Sequence, residues 1–364
     1  MRDGAPDEVI AGACFWYSRV TSWLGGRLLA STVPIISGRA TGKVDQEVIE
    51  EVSLTVPRFA AAAEGEDVAD WRPGTDTLHP LARYGQVLDV TVVVVSVITG
   101  TAWETRVGRY QVKDWDDDDA GLISVKGESL LARPRDDKLT APTSPSSTAT
   151  FISEARRLAP AGMGVSFEAG LIDRALPQAF AWSESRLDAW RELAAAWPAL
   201  LRIDPWGQAR FRAPLPAVPA PVITLTDGAR GTLISAPRAD SRAGAPNLVA
   251  VTTQGSDTAD VVGISAITSG PMSVNGDYGI VTKKWSSGAV TNLAEATAAA
   301  KADLDASSRP AQIVPAQIAP DPRLELDDPV ELLREGDQLW GYVTAYDMPL
   351  TAGDGAMRVD VGLT

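Results

Sequence analysis

The sequence predicts a mainly β fold carrying an α+β insert, with β-barrel-like modules near both chain ends. Three observations predict it. Val52, Leu54 and Val56 alternate with Glu51, Ser53 and Thr55 within residues 48–56, the period-two pattern of a strand with one buried face. Short apolar segments recur between Phe15 and Val125, broken by Gly, Pro and Asp, a spacing that suits a barrel or sandwich better than βαβ units. A strand with an internal glycine, a loop and a return strand also occurs near both ends. Residues 36–41, around Gly38, precede 48–56, and residues 339–344, around Gly341, precede 357–361. Residues 107–112, around Gly108, repeat the pattern more loosely. Glycine inside a strand marks a bulge or bend, which barrels use at their corners.

The elements follow in order. Residues 15–20 (FWYSRV) and 27–30 flank Gly25-Gly26 as a hairpin. Residues 88–98 (LDVTVVVVSVI) are the most apolar run. They fall short of the roughly 20 residues a membrane span needs and, being β-branched, read as a buried strand. Residues 105–112 lead into Asp114-Trp115-Asp116-Asp117-Asp118-Asp119, read as an acidic hairpin loop, and then into a strand at 121–125. Residues 140–148 (TAPTSPSST) form a polar linker expected to be exposed.

A helix is expected over 149–158. The clearest helix is 184–197, where Leu187, Trp190, Leu193, Ala194 and Trp197 share one face, Ser183 or Ser185 caps the start and Pro198 ends it. Tryptophans at helical spacing read as core rather than as a ligand platform. Residues 200–204 and 208–212 form a hairpin around Pro205-Trp206-Gly207, and Pro214, Pro216, Pro219 and Pro221 mark a boundary. An Ala-rich helix spans 292–304 with Asn292 and Glu295 as a capping pair, and the chain closes in strands at 329–333, 338–345 and 356–363. The expected units are an N-terminal barrel-like domain at 1–139, the insert at 149–221, and a C-terminal β-rich domain at 222–364 with one helix and a terminal barrel-like module.

Composition narrows the chemistry. With 33 basic and 47 acidic residues the net charge is −14, which argues against a nucleic-acid binder that relies on a basic surface. Residues 321–364 hold ten acids against Arg323, Arg334 and Arg358, and a solvated or channel-lining acidic wall is expected there. One cysteine, Cys14, excludes an intrachain disulfide framework; one histidine, His79, excludes zinc sites built on two or three histidines. His79 lies in a loop and reads as a surface or packing residue. No P-loop occurs, Gly162-Met163-Gly164 lacks the third glycine of a dinucleotide fingerprint, and residues 263–267 fail the nucleophile elbow. The run Asp114–Asp119 fits an EF-hand at its first positions, but Asp119 and Val125 stand where that loop needs Gly and Glu. The first twenty residues put acids where a secretory leader needs a basic start, so no processing signal is expected.

The order of features then resembles a known family. A Trp/Tyr-bearing hairpin precedes Val33-Pro34-Ile35-Ile36-Ser37-Gly38-Arg39 and an acid-spiked strand ending Leu54-Thr55-Val56-Pro57. Leu78-His79-Pro80-Leu81-Ala82-Arg83-Tyr84-Gly85, Val107-Gly108-Arg109-Tyr110 and Ile123-Ser124-Val125-Lys126-Gly127-Glu128-Ser129 follow. Asn247-Leu248-Val249-Ala250-Val251, the Ala-rich helix, and Asp327-Asp328-Pro329-Val330 before Gly341-Tyr342-Val343-Thr344 complete the series. In this order the chain resembles the tail hub, or minor tail (baseplate hub), proteins of long-tailed bacteriophages, the actinobacterial-phage type above all.

The resemblance implies a tail-hub-like architecture and a structural virion protein at the phage tail tip, made in the host cytoplasm. It implies a homotrimer with two barrels per subunit, capping the tail tube. Its partners would be a distal tail protein, the tape-measure protein and tail fibre or tip proteins. DNA would pass through the lumen without specific binding. No enzyme activity, catalytic residue, cofactor, metal or membrane anchor is expected. The alternatives are a receptor- or carbohydrate-binding tail protein using exposed Trp and Tyr, and a tail-associated peptidoglycan hydrolase.

Overall fold

The computed structural model describes residues 1–61, 65, 67–118, 120–177, 180–218, 220–237, 245–253, 261–288, 290–308 and 313–364. Asp119 and Pro219 lie outside these. The fold is mainly β, as its sequence predicts. In the first third α1 (Asp7–Ile10) leads into β1 (Cys14–Leu24), β2 (Arg27–Ala30), β3 (Ser37–Lys43), β4 (Glu50–Pro57), β5 (Phe59–Ala60), β6 (Ala69–Asp70), β7 (Val87–Ser96), β8 (Ala102–Asp117) and β9 (Leu122–Ser129). On β4, Val52, Leu54 and Val56 are buried while Glu51 and Ser53 are exposed, because one face packs inward. β7 is buried on both faces over most of its length. The strand ends at Ser96, so Val97 and Ile98, expected within it, stand instead at the hairpin tip, 62% and 84% exposed.

The acidic run is not a loop. Asp114 to Asp117 belong to β8, with Asp114 opposite Lys126 and Asp116 opposite Ser124 on β9. The turn begins only at Asp118, whose Oδ1 accepts the N–H groups of Ala120 (2.9 Å) and Leu122 (3.0 Å), while Gly121 takes φ +91°. A side chain that satisfies the turn's own N–H groups needs no long loop.

After α2 (Ala132–Asp136) come α3 (Phe151–Arg157), β10 (Val165–Phe167), α4 (Arg186–Ala196), β11 (Leu200–Ile203) and β12 (Ala209–Arg212), the last two and β10 forming a three-stranded sheet of their own. Thr150 and Ser153 form a capping box on α3, and Ser185 caps α4 by accepting the Asp188 N–H. The five apolar residues of the α4 stripe are all buried. Trp190 donates to Ala155 O (2.8 Å) and Trp197 to Ile172 O (2.8 Å), which satisfies the indole polarity inside the core. The linker is only partly free. Thr143 forms a β-bridge with Trp182 and Pro145 is buried, while the other seven residues of 140–148 are exposed as expected, Ser146, Ser147 and Thr148 forming the longest run after the bridge.

The last third adds β13 (Ile223–Thr226), β14 (Leu233–Ser235), β15 (Leu248–Thr253), β16 (Val262–Ala266), β17 (Thr282–Ser287), α5 (Leu293–Ser308), β18 (Ile313–Ile318), β19 (Pro329–Arg334), β20 (Asp337–Pro349) and β21 (Met357–Leu363). Asn292 caps α5 by accepting the Glu295 N–H (2.9 Å), but Glu295 reaches back to the N–H of Thr291 (3.0 Å) rather than to Asn292. α5 packs on β15 and β16, and Gly263 allows the approach: a Cβ there would lie 2.2 Å from the Ala296 backbone.

Among the described residues thirteen strands join in one sheet, running β14-β18-β21-β20-β3-β4-β9-β8-β7-β1-β2, with β19 also paired to β20 and β13 to β19. The two glycine-bearing hairpins, β3–β4 and β20–β21, therefore lie side by side, and β3 pairs antiparallel with β20 from Arg39–Pro349 to Lys43–Ala345. Bulges follow Val90 on β7 opposite Gly108 and interrupt β20 between Val343 and Ala345.

Candidate assembly surface

The isolated chemical residues are placed for packing. His79 meets Trp71 edge-on at 6.4 Å, its Nδ1 accepts the Leu81 N–H (3.2 Å), and burial lowers its pKa below the ordinary range. Cys14 is half-buried on β1, and burial pushes its thiol up. Among the described residues no three His, Cys, Asp or Glu side chains gather as a metal site, and no helix is long and apolar enough to cross a membrane.

A buried polar junction ties the parts together. Glu50 on β4 accepts the Tyr346 hydroxyl from β20 at 3.0 Å, with Arg2 Nη2 3.8 Å away. Arg2, 5% exposed at its side chain, also donates to Leu324 O (2.6 Å) and Pro322 O (3.2 Å). Gly42, directly opposite Glu50 on β3, makes room for the tyrosine: a Cβ there would sit 2.5 Å from the Tyr346 ring. Burial pushes the Glu50 carboxyl up to about 7, against the pull of Arg2 and the Tyr346 hydrogen bond. Nearby, Asp327 takes a fork from Arg202 of β11 at 2.6 and 3.0 Å, with Arg212 at 3.6 Å.

These contacts redirect the acidic segment at 321–364. Asp321, Asp327 and Asp328 are 2–3% exposed, so they form no solvated wall. Asp321 binds Arg323, Asp347 binds Arg39, and Asp354 accepts the Gly38 N–H (3.0 Å). The negative charge here is largely taken up within the chain by cations and backbone donors. A buried carboxylate requires such partners.

The outer face of β7 and β8 has a different character. Arg19 forks onto Glu104 at 3.0 and 2.7 Å. Asp89 lies 3.4 Å from Arg106 and 3.7 Å from Arg109, and burial raises its pKa despite those arginines. Arg133 of α2 meets Gln111 Oε1 (3.2 Å), and burial together with Arg109 lowers its pKa. The Arg109 Nε is buried without a hydrogen-bond partner. Trp206, 59% exposed at the β11–β12 turn, lies over the Arg106 guanidinium at 3.6 Å. Farther along the same strand Asp114 and Asp116 are exposed and form no ion pair among the described residues, although Lys126 stands opposite Asp114 and Arg72 pairs with the adjacent Asp117. Positive charge therefore collects at the root of the β8–β9 hairpin and negative charge at its tip. The sequence reading singled out the tip but missed the root, whose arginines are spread from Arg19 to Arg133.

No protein-family model matches the chain, and no curated protein matches it in sequence. Its fold is nonetheless one found in phage tail proteins. The tail protein from Neisseria meningitidis superposes with a TM-score of 0.65 at 14% identity, over 95% of this chain and 96% of that one. The 43 kDa prophage tail protein from Shewanella oneidensis gives 0.61 at 13% identity over 95% and 98%, and a prophage tail protein from Listeria monocytogenes gives 0.54 at 10% over 94% of each. The likeness is one of fold, extending along nearly the whole chain.

Proposed function

We propose that this chain is a structural virion protein, a tail-hub subunit at the distal end of a phage tail tube, of the type found in actinobacterial phages. The observation that carries the reading is the fold shared end to end with three tail proteins. Three copies form a ring in which two barrel-like modules per subunit, one from 1–139 and one closing 222–364, make six around a lumen, with 149–221 as an insert. The pairing of β3 with β20 supports this, since it sets the two glycine-bearing hairpins next to each other in one sheet. The ring joins a distal tail protein and the tape-measure protein on one side to fibre or tip proteins on the other. DNA passes without specific binding, and a net charge of −14 supports that, because each cation on a channel wall adds phosphate affinity. The reading assigns no catalytic residue, cofactor or membrane anchor, and places the protein in the virion after synthesis in the host cytoplasm. Cryo-EM of assembled tails tests it: three copies per ring are expected, and a dimer or six copies overturns it.

A further inference from the structure

We propose that the acidic tip of the β8–β9 hairpin in one subunit docks on the arginine-rich root of that hairpin in a second copy of this chain. The inference rests on the ring reading above and assigns one of its subunit contacts.

The root is short of anions. Arg19, Arg106, Arg109 and Arg133 share two carboxylates, Glu104 and Asp89. Arg133 pairs with no carboxylate among the described residues, and Arg109 reaches only Asp89, which it shares with Arg106, at 3.7 Å. The arginine side chains remain 30% exposed at Arg106 and Arg109, so an incoming carboxylate can add charge-assisted hydrogen bonds at their accessible atoms. At the tip Arg72 pairs with Asp117 at 3.4 Å and Lys126 faces Asp114 across the ladder, yet two exposed carboxylates form no ion pair. Asp114 and Asp116 project from the outer side of β8 with no ion-pair partner among the described residues.

The two ends cannot meet within one subunit. Arg109 and Asp116 lie seven positions apart on one strand. At ~3.3 Å per residue they are separated by up to ~23 Å, and β8 stays paired with β9 from Tyr110 to Asp117, which prevents it from folding back on itself. The complement of the root is thus a tip from another molecule, and the complement of the tip is another root. Such a contact is heterologous and can close into a ring. Copies that each carry −14 repel one another at long range, so association needs a local reversal of sign, and the root supplies it. Trp206 covers Arg106 on one side and gives the contact an apolar rim.

The test uses the full chain in sedimentation velocity at low ionic strength and again at about 0.5 M salt, where surface charges are screened. The parent should associate at low salt. The tip reversal Asp114→Lys/Asp116→Lys should weaken association at least ~10-fold, a change characteristic of interfacial charge pairs. The root reversal Arg106→Glu/Arg133→Glu should do the same, with Arg133→Glu alone as the form that leaves Asp89 paired. A chain carrying both reversals should regain association, because its tip and root are again opposite in sign. Far-UV circular dichroism confirms that each variant is folded.

A tip variant that associates like the parent, or a combined variant that does not recover, overturns this contact and leaves the ring reading standing. Tails imaged without a ring of this chain overturn the ring reading itself. A labelled DNA duplex bound by the parent and released on root reversal, with no self-association, assigns the root to phosphate and overturns the proposal.

Discussion

Tyr346 and Glu50, 296 residues apart in sequence, share a hydrogen bond of 3.0 Å inside the protein. The bond crosses β3, whose Gly42 lies between the two strands that carry these residues. It links β4 to β20 within the one large sheet, with Arg2 3.8 Å from the Glu50 carboxyl.

Burial of this carboxyl sets the sign of a pH dependence expected of the fold. Between the ordinary carboxyl range and about 7, the folded chain keeps a proton on Glu50 that the unfolded chain has lost. Its contribution to stability therefore falls as pH rises through that window and levels off above it. Glu50→Gln keeps an acceptor for Tyr346 and removes the titration. Urea unfolding of variant and parent from pH 4.5 to 8 should diverge, with the variant more stable at the alkaline end by about 1–3 kcal/mol. Parallel curves would assign the slope to other groups.

Gly42→Ala should destabilise the protein by about 1–3 kcal/mol, because the new Cβ meets a packed aromatic ring rather than a yielding side-chain end. Calorimetric unfolding checks it. Pairing it with Tyr346→Leu should recover part of the loss, whereas an unrelieved loss would place the strain elsewhere.

Asp327→Asn isolates charge at the junction with the insert. The residue takes φ +68°, which asparagine tolerates, so backbone strain does not confound the result. Arg202 and Arg212 would lose their shared carboxylate at a site where the aspartate is 4% exposed. A loss of about 3 kcal/mol or more is expected from chemical denaturation.

Limited proteolysis with an enzyme of broad specificity should cut first near Ser146, Ser147 and Thr148 and spare β4. The first three are exposed, whereas Thr143 and Pro145 just before them are tied down. Mass spectrometry of early fragments reads this directly, and early cleavage within β4 would contradict it.

Where neighbours in sequence are also neighbours in space, the sequence was informative. The alternation on β4 and the stripe on α4 are local patterns of burial, and both stand in the structure as read. The pairing of β3 with β20 is invisible locally, since nothing in residues 37–43 marks a partner three hundred residues away. Asp114 to Asp117 read as a loop because aspartate is a poor strand former; pairing with Lys126 and Ser124 overrides that preference. Arg2 lies in a polar opening that gives no hint of burial. The charge gradient on β8 escaped for a further reason. Bulges beside Gly108 and after Val112 each shift the register by one, so strict alternation misassigns which side chains face outward.

The seam between β3 and β20 also governs when the protein can fold. Its strands are separated by nearly the full length of the chain, so the closure entropy of a very long loop is met before that pairing contributes. On the ribosome, β3 emerges roughly 15–60 s before β20 at 5–20 residues per second. During that interval the Ser37–Lys43 edge has only β4 beside it, and Gly42 lacks the ring that will cover it. An unpaired strand edge is a template for wrong pairing, so this long wait exposes Ser37–Lys43 to it until β20 arrives.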